Sequence, residues 1–250
     1  RRKKFLLTNI VLFAILASLM LWVWQSGYMF VELPPAKSEW AFEEAGFEVD
    51  SLDSLTGEGI RVCIVDTGID ISHPSFKNTN LVFKDMISNS NSPVDYGATA
   101  HGTLMAGILV SQEHQIGVAP GVNLGVVAAL SDDGNGMNTA DEQKISDAVE
   151  WCMDVFSADI ISLSLGGTQS ESMTREGSSV SSVRKALDRG IFVVAAAGND
   201  GGNSDDGRVS VPSNVPLVIS VGASSQGGDI WENSSKGSQV TISGEQRQHP

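Results

Sequence analysis

Three residues in the chain have types and settings that suit acyl transfer: Asp66, His101 and Asn199. Asp66 directly follows the short apolar run RVCIV. His101 opens the apolar segment HGTLMAGILV, which places it in the first turn of a helix. Asn199 follows IFVVAAAG and can present its side-chain amide at the same edge. In such an arrangement the acid orients the imidazole, the imidazole moves a proton, and the amide binds a developing oxyanion. Taken singly, each has a plain structural reading. An Asp after a strand is often a turn residue. A His before Gly-Thr is often structural, and an Asn beside Gly198 fits a left-handed turn.

The elements that must position these residues alternate. Arg61–Val65, 80–83, 123–130, 159–164, 191–196 and 216–221 are short runs rich in β-branched residues, bounded by turn residues. Near-continuous apolar strands of this kind are covered on both faces, as in a parallel sheet. Between them lie helical patterns. Ile145, Ala148, Val149, Cys152, Met153 and Phe156 share one helical stripe. Thr139 with Glu142 three residues on predicts a capping box at its start. A second helix carries Val180, Val183, Ala186 and Leu187, and Gly190 stops it. The fold class is therefore α/β, with a mostly parallel sheet and helices on both faces. In such sheets working residues gather at the carboxyl ends of the strands.

Composition narrows the function. The chain has 250 residues and a formal net charge of −14; with the basic start Arg1-Arg2-Lys3-Lys4 set aside, the remainder carries −18. So acidic a body repels phosphate backbones and excludes a nucleic-acid binder. A nucleotide-binding α/β domain needs a phosphate loop after the first strand, and DTGIDISHP is not one. The two cysteines, Cys63 and Cys152, sit in apolar runs and read as buried free thiols, with a single bridge as the alternative. No Cys-x-x-Cys metal spacing occurs.

Phe5 to Trp24 is an uncharged apolar run of 20 residues, long enough to span a hydrocarbon core of roughly 30 Å. Trp22, Trp24 and Tyr28 stand at its far end, basic residues before it and acidic residues after it. This pattern predicts a signal-anchor with the N-terminus cytoplasmic and the rest outside. A cleaved signal peptide and a buried core helix are the competing readings. The predicted organisation is a cytoplasmic end (1–4), a transmembrane anchor (5–24), an acidic stalk and lead-in (25–56) and a catalytic domain (57–250).

Taken together, VCIVDTGIDISHP, HGTLMAGILVSQEHQIGVAPG and AAAGNDG resemble, in this order, the subtilisin-like serine proteases. The resemblance runs from about Trp40 to Ser234 and implies a three-layer α/β peptidase domain acting on protein or peptide substrates. It implies that Asp66 is the triad acid, His101 the general base and Asn199 the oxyanion-hole side chain. It also implies that ISLSLGG pairs with the substrate backbone. Ser164, Leu165, Gly166 and Gly167 would then line the primary pocket with residues 195–197, and Gly134 and Gly136 the opposite rim. Glycines suit a peptide docking as an added strand, although plain turn glycines are the alternative for Gly134 and Gly136.

Several positions depart from the family pattern. The chain reaches Pro250 before any Gly-Thr-Ser nucleophile block, and no Gly-x-Ser-x-Gly replaces it. This reads as a truncated sequence, with a short inactive relative, a peptide-binding pseudoprotease, as the alternative. Leu104 stands where the family commonly has a second His. Ser75 stands where it often has a calcium-ligating Asp, and the loop Ser111–Ile116 is short, so no cofactor is expected and calcium is left as an option away from that site. The 25–30 residues before the domain leave no room for the usual propeptide. His73, His114 and His249 read as structural or surface residues.

Overall fold

A computed structural model of the chain describes residues 13, 15–18, 20, 39–47, 55–112, 117–167, 177–202, 207–240 and 246–248. It divides into two units, Arg1–Gly46 and Phe47–Pro250. In the first, helix α1 (Glu39–Glu44) lies inside the segment expected to be a stalk. The run 5–24 falls mostly outside the described residues, and no described helix is long and apolar enough to cross a membrane.

The second unit is built on a six-stranded parallel sheet. Its strands are β1 (Arg61–Asp66), β2 (Leu81–Asp85), β3 (Asn123–Ala128), β6 (Ile160–Leu163), β7 (Phe192–Ala196) and β8 (Ile219–Val221), in the order β2-β3-β1-β6-β7-β8. Among the described residues two short antiparallel pairs complete the strands: β4 (Ser131–Asp132) with β5 (Asn138–Thr139), and β9 (Ser238–Val240) with β10 (Gln246–Gln248). The sheet carries α2 (His101–Val110), α3 (Glu142–Asp154) and α4 (Ser178–Asp188).

Side-chain alternation along a strand gives each face its own core. Cys63 and Val65 of β1 and Val127 of β3 pack with Val149 and Cys152 of α3 and Val183 of α4. Val62 and Ile64 of β1 and Leu124 and Val126 of β3 pack on the other side with Ala106 and Val110 of α2. The sheet is thus the middle of three layers, which is why its central strands read as unbroken apolar runs.

The structure corrects three expectations. Cys63 and Cys152 are not free thiols but a disulfide, 5.9 Å apart at Cα across a sequence separation of 89. β1 turns Cys63 toward the face that α3 covers, and the inward stripe of α3 brings Cys152 onto it. The capping box is absent. Thr139 is held in β5 opposite Ser131, and the helix starts at Glu142 with Asp141 at its N-cap position and no side-chain cap. Phe156 lies past the end of α3, where it stacks on Trp151 and covers Gly125. The other five stripe residues are buried as expected, and α4 stops before Gly190 at φ 79°.

Candidate active site

β1, β6 and β7 are neighbours and run parallel, so their carboxyl ends open on one edge of the sheet. That edge supplies a cleft of about 730 Å³ lined by Asp66, His101, Ser164–Gly167 and Asn199, among others. The sheet order therefore brings together the acid, the base, the amide and the ISLSLGG segment, which lie far apart in sequence.

Asp66 is the last residue of β1 and is 1% exposed. His101 Nδ1 lies 2.8 Å from its Oδ1 and 3.0 Å from its Oδ2. A carboxylate only accepts hydrogen bonds, so Nδ1 carries the proton and Nε2 is the nitrogen left to exchange one in the cleft. The Thr67 N–H donates to Asp66 Oδ1 at 2.7 Å and holds the carboxylate in place. The hydrogen bond to Asp66 pushes the His101 imidazole above its ordinary value. Partial burial opposes this, and the charges of Asp66 and Asp95 add to the rise.

The start of α2 is held in an unusual way. Its N-cap residue is Ala100, which has no side-chain acceptor to offer. Two residues from elsewhere satisfy the free N–H groups instead. Gly102 N donates to Thr67 Oγ1 at 2.9 Å, and Thr103 N donates to Asp95 Oδ2 at 2.9 Å. The hydroxyls of Thr67 and Thr103 both donate to Asp95 at 2.6 Å. A Cβ at Gly102 would lie 2.2 Å from Gly68 O, so glycine is needed for the helix to approach the end of β1 this closely. Asp95 was not legible as a site residue from its own surroundings, which form a polar loop. Thr103, inside the HGT motif, was the nearest signal.

Asp95 is in turn held by the loop before it. Asp85 ends β2, is 1% exposed, and accepts from the N–H groups of Ile87, Ser88 and Ser90 and the hydroxyls of Ser88 and Tyr96. Burial pushes its carboxyl up, but the hydrogen bonds from Ser88, Ser90 and Tyr96 outweigh that and hold it well below the usual carboxylate range.

Asn199 is exposed at the cleft, on a loop pinned from both sides. Ser210 N donates to Ala197 O at 2.7 Å and Ser235 N to Gly198 O at 3.0 Å. Ser164, Leu165 and Gly166 run past Leu163, the last residue of β6 paired with β1 or β7. Gly167 differs, because it exchanges both backbone hydrogen bonds with Val211, at 3.0 and 2.9 Å. Gly134 and Gly136 lie in the turn between β4 and β5 at φ 84° and 87°, where their N–H groups donate to Asp132 Oδ1. The residues of that hairpin facing the cleft are Met137, Asn138 and Thr139.

Among the described residues no group of three His, Cys, Asp or Glu side chains is placed to hold a metal. Ser75 is buried in a short turn, where its N–H donates to His73 Nδ1 at 3.3 Å. A hydroxyl without a carboxylate there does not fit a calcium site. His73 thus has a structural role, while His114 and His249 lie outside the described residues.

Residues 57–248 match the family model described as "Subtilase family". The chain is 32% identical over 180 residues to Subtilisin-like protease 1 of Arthroderma gypseum, covering 70% of this chain and 34% of that protein. It is 31% identical over 190 residues to Subtilisin E of Bacillus subtilis, covering 75% of this chain and 46% of that protein. Among solved structures, a mutant of the protease domain of PatA superposes with a TM-score of 0.63 at 29% identity, over 75% of this chain and 66% of that one. The chain thus spans between a third and a half of the length of these curated relatives. The match covers the sheet and the cleft that gathers Asp66, His101 and Asn199, and the chain belongs to the subtilase family.

Proposed function

We propose that this chain supplies the acid, base and oxyanion-binding parts of a serine endopeptidase. The observation that carries the reading is the Asp66–His101 bond in a cleft shared with Asn199 and the free end of β6. A peptide lies along Ser164–Gly166 as an added strand. His101 Nε2 takes the proton of a serine hydroxyl as its oxygen attacks the scissile carbonyl, while Asp66 stabilises the imidazolium. The Asn199 amide donates to the oxyanion of the tetrahedral intermediate. His101 then protonates the leaving amine, and water, deprotonated by the same imidazole, releases the acyl group. No metal or other cofactor enters these steps.

In this reading the nucleophile lies in a Gly-Thr-Ser block that the 250 residues do not contain. The second reading is a tethered peptide-binding pseudoprotease, which uses the same cleft and the Ser164–Gly167 segment to hold a peptide and performs no acyl transfer. Sequence read past Pro250 separates the two. An extended chain with such a block should react with a fluorophosphonate probe and lose the reaction on His101→Ala. On Asn199→Ala its kcat should fall by about 10²–10³, a value carried over from subtilisin itself. An extended chain that contains the block and stays unlabelled sinks the peptidase reading.

The domain is placed outside the cytoplasm, anchored by residues 5–24. The uncharged run, its basic flank and the disulfide all support this, since disulfides persist in oxidising compartments. Protease added to intact cells should then reach the domain, and carbonate washing should leave it in the membrane. Cytoplasmic protection overturns the placement. The substrates are proteins or peptides, and nucleic acid is not a partner.

A further inference from the structure

One short sequence pattern has no part in the acyl-transfer reading. Asn233-Ser234-Ser235 is an Asn-x-Ser triplet with no proline in the middle, and no other asparagine of the 250 residues has Ser or Thr two positions on. On a surface loop of an exported protein, such a triplet is an acceptor for an N-linked glycan. This one lies between β8 and β9, in a segment of turns.

The fold buries the two serines and leaves the asparagine in solvent. The Ser234 N–H donates to Trp231 O at 2.9 Å, which closes a turn with Asn233 in its third position. Ser234 and Ser235 are 1% and 2% exposed. The Ser234 hydroxyl accepts from Ala223 N at 2.9 Å, and the Ser235 hydroxyl accepts from Asp200 N at 3.1 Å. The main chain is held as well, since Gly201 N donates to Asn233 O and Ser235 N to Gly198 O, both at 3.0 Å. Asn233 itself is exposed, and it is not among the residues that line the cleft. Its side-chain amide takes part in none of these anchoring bonds, so a bulky group attached there displaces none of them.

We propose that Asn233 is an N-glycosylation acceptor; the proposal rests on the reading that places the domain outside the cytoplasm. Asn233 Nδ2 forms a bond to the anomeric carbon of an oligosaccharide carried on a lipid diphosphate. The bond from that carbon to the diphosphate oxygen breaks, and the lipid diphosphate leaves with the electron pair. The amide gives up one proton, and nothing is oxidised or reduced. The Ser235 hydroxyl, which completes the triplet, is covered in the folded domain. Transfer therefore precedes the docking of residues 231–235 on the loop 198–201. The exposure of Asn233 then lets the folded domain carry the glycan in solvent, away from the cleft.

The test is expression of the full 250-residue chain in cultured animal cells, with a tag after Pro250 that carries an Asn-x-Thr triplet of its own. The tag reports export independently of Asn233. Limited digestion with an N-glycosidase should lower the mass in two steps, and digestion in heavy-oxygen water should mark position 233 in the peptide mass spectrum. Asn233→Gln should remove one step and keep the other. Ser235→Thr keeps both the triplet and a hydroxyl for Asp200 N–H, so it should keep both steps. A glycan on the tag with none at position 233, or two steps that survive Asn233→Gln, overturns the acceptor and leaves the export reading standing. A chain with no glycan on either triplet overturns the export reading and the acceptor with it.

Discussion

The Thr67 hydroxyl donates to Asp95 Oδ1 at 2.6 Å, and the Thr103 N–H donates to Asp95 Oδ2 at 2.9 Å. One carboxylate thus ties the residue after Asp66 to the helix turn that begins with His101. In the proposed mechanism Asp95 would take no proton and would act as a positioning residue, holding Asp66 and His101 at their spacing. Asp95→Asn should move the His101 titration down toward its ordinary value and disturb the Nδ1–H signal, both read by NMR. The lost cap should also destabilise the domain by about 1–2 kcal/mol in urea. Loss of stability with an unmoved His101 titration would reduce Asp95 to a structural cap.

His101 also makes stability depend on pH. Its folded value is raised above an ordinary value of about 6.5, so folding favours the charged form. That contribution is complete below about 6.5 and is lost as pH rises through the folded value. The urea midpoint of the protein relative to His101→Gln should therefore be most favourable on the acidic side and decline as pH rises through that range. If the peptidase reading holds, activity of an extended chain should run the other way, rising as His101 loses its proton. A stability difference that grows with pH would contradict the sign.

The disulfide predicts no free thiol. Ellman titration of the chain unfolded without reductant should find none, and two after reduction. Replacing both Cys63 and Cys152 by Ala should cost about 2–4 kcal/mol, because the crosslink closes a long loop in the unfolded chain. Two thiols in the unreduced protein would restore the free-thiol reading.

Asp85 carries the acid limit of the loop that holds Asp95. Its folded value is depressed, so its contribution is present above about 3.9 and is lost as pH falls toward the folded value. Asp85→Asn should destabilise the protein at pH 7 by about 2 kcal/mol or more, since it weakens several hydrogen bonds to one buried charge. The same variant should lose less stability than wild type on acidification. Equal acid sensitivity in the two proteins would show that another carboxylate sets the limit.

What the sequence determined by itself is local or carried by motif. Apolar runs place β1, β6 and β7, because a strand covered on both faces leaves no polar alternation to hide it. The stripe from Ile145 to Met153 places α3, and Gly190 marks the end of α4. Asp66, His101 and Asn199 stand out through their flanking motifs. The tertiary structure alone decided which distant groups meet. Cys63 and Cys152 bond because β1 and α3 share a face, a fact that burial of either one does not contain. Thr139 had the right spacing for a cap, but its pairing with Ser131 in β5 won. Glu142 turned instead to Ser179, across 37 residues of sequence, and Asp95 reached Thr67 across 28. Periodicity records which face of an element is apolar. It does not record which element that face or its rim will meet, because that depends on the order in which the strands lie in the sheet.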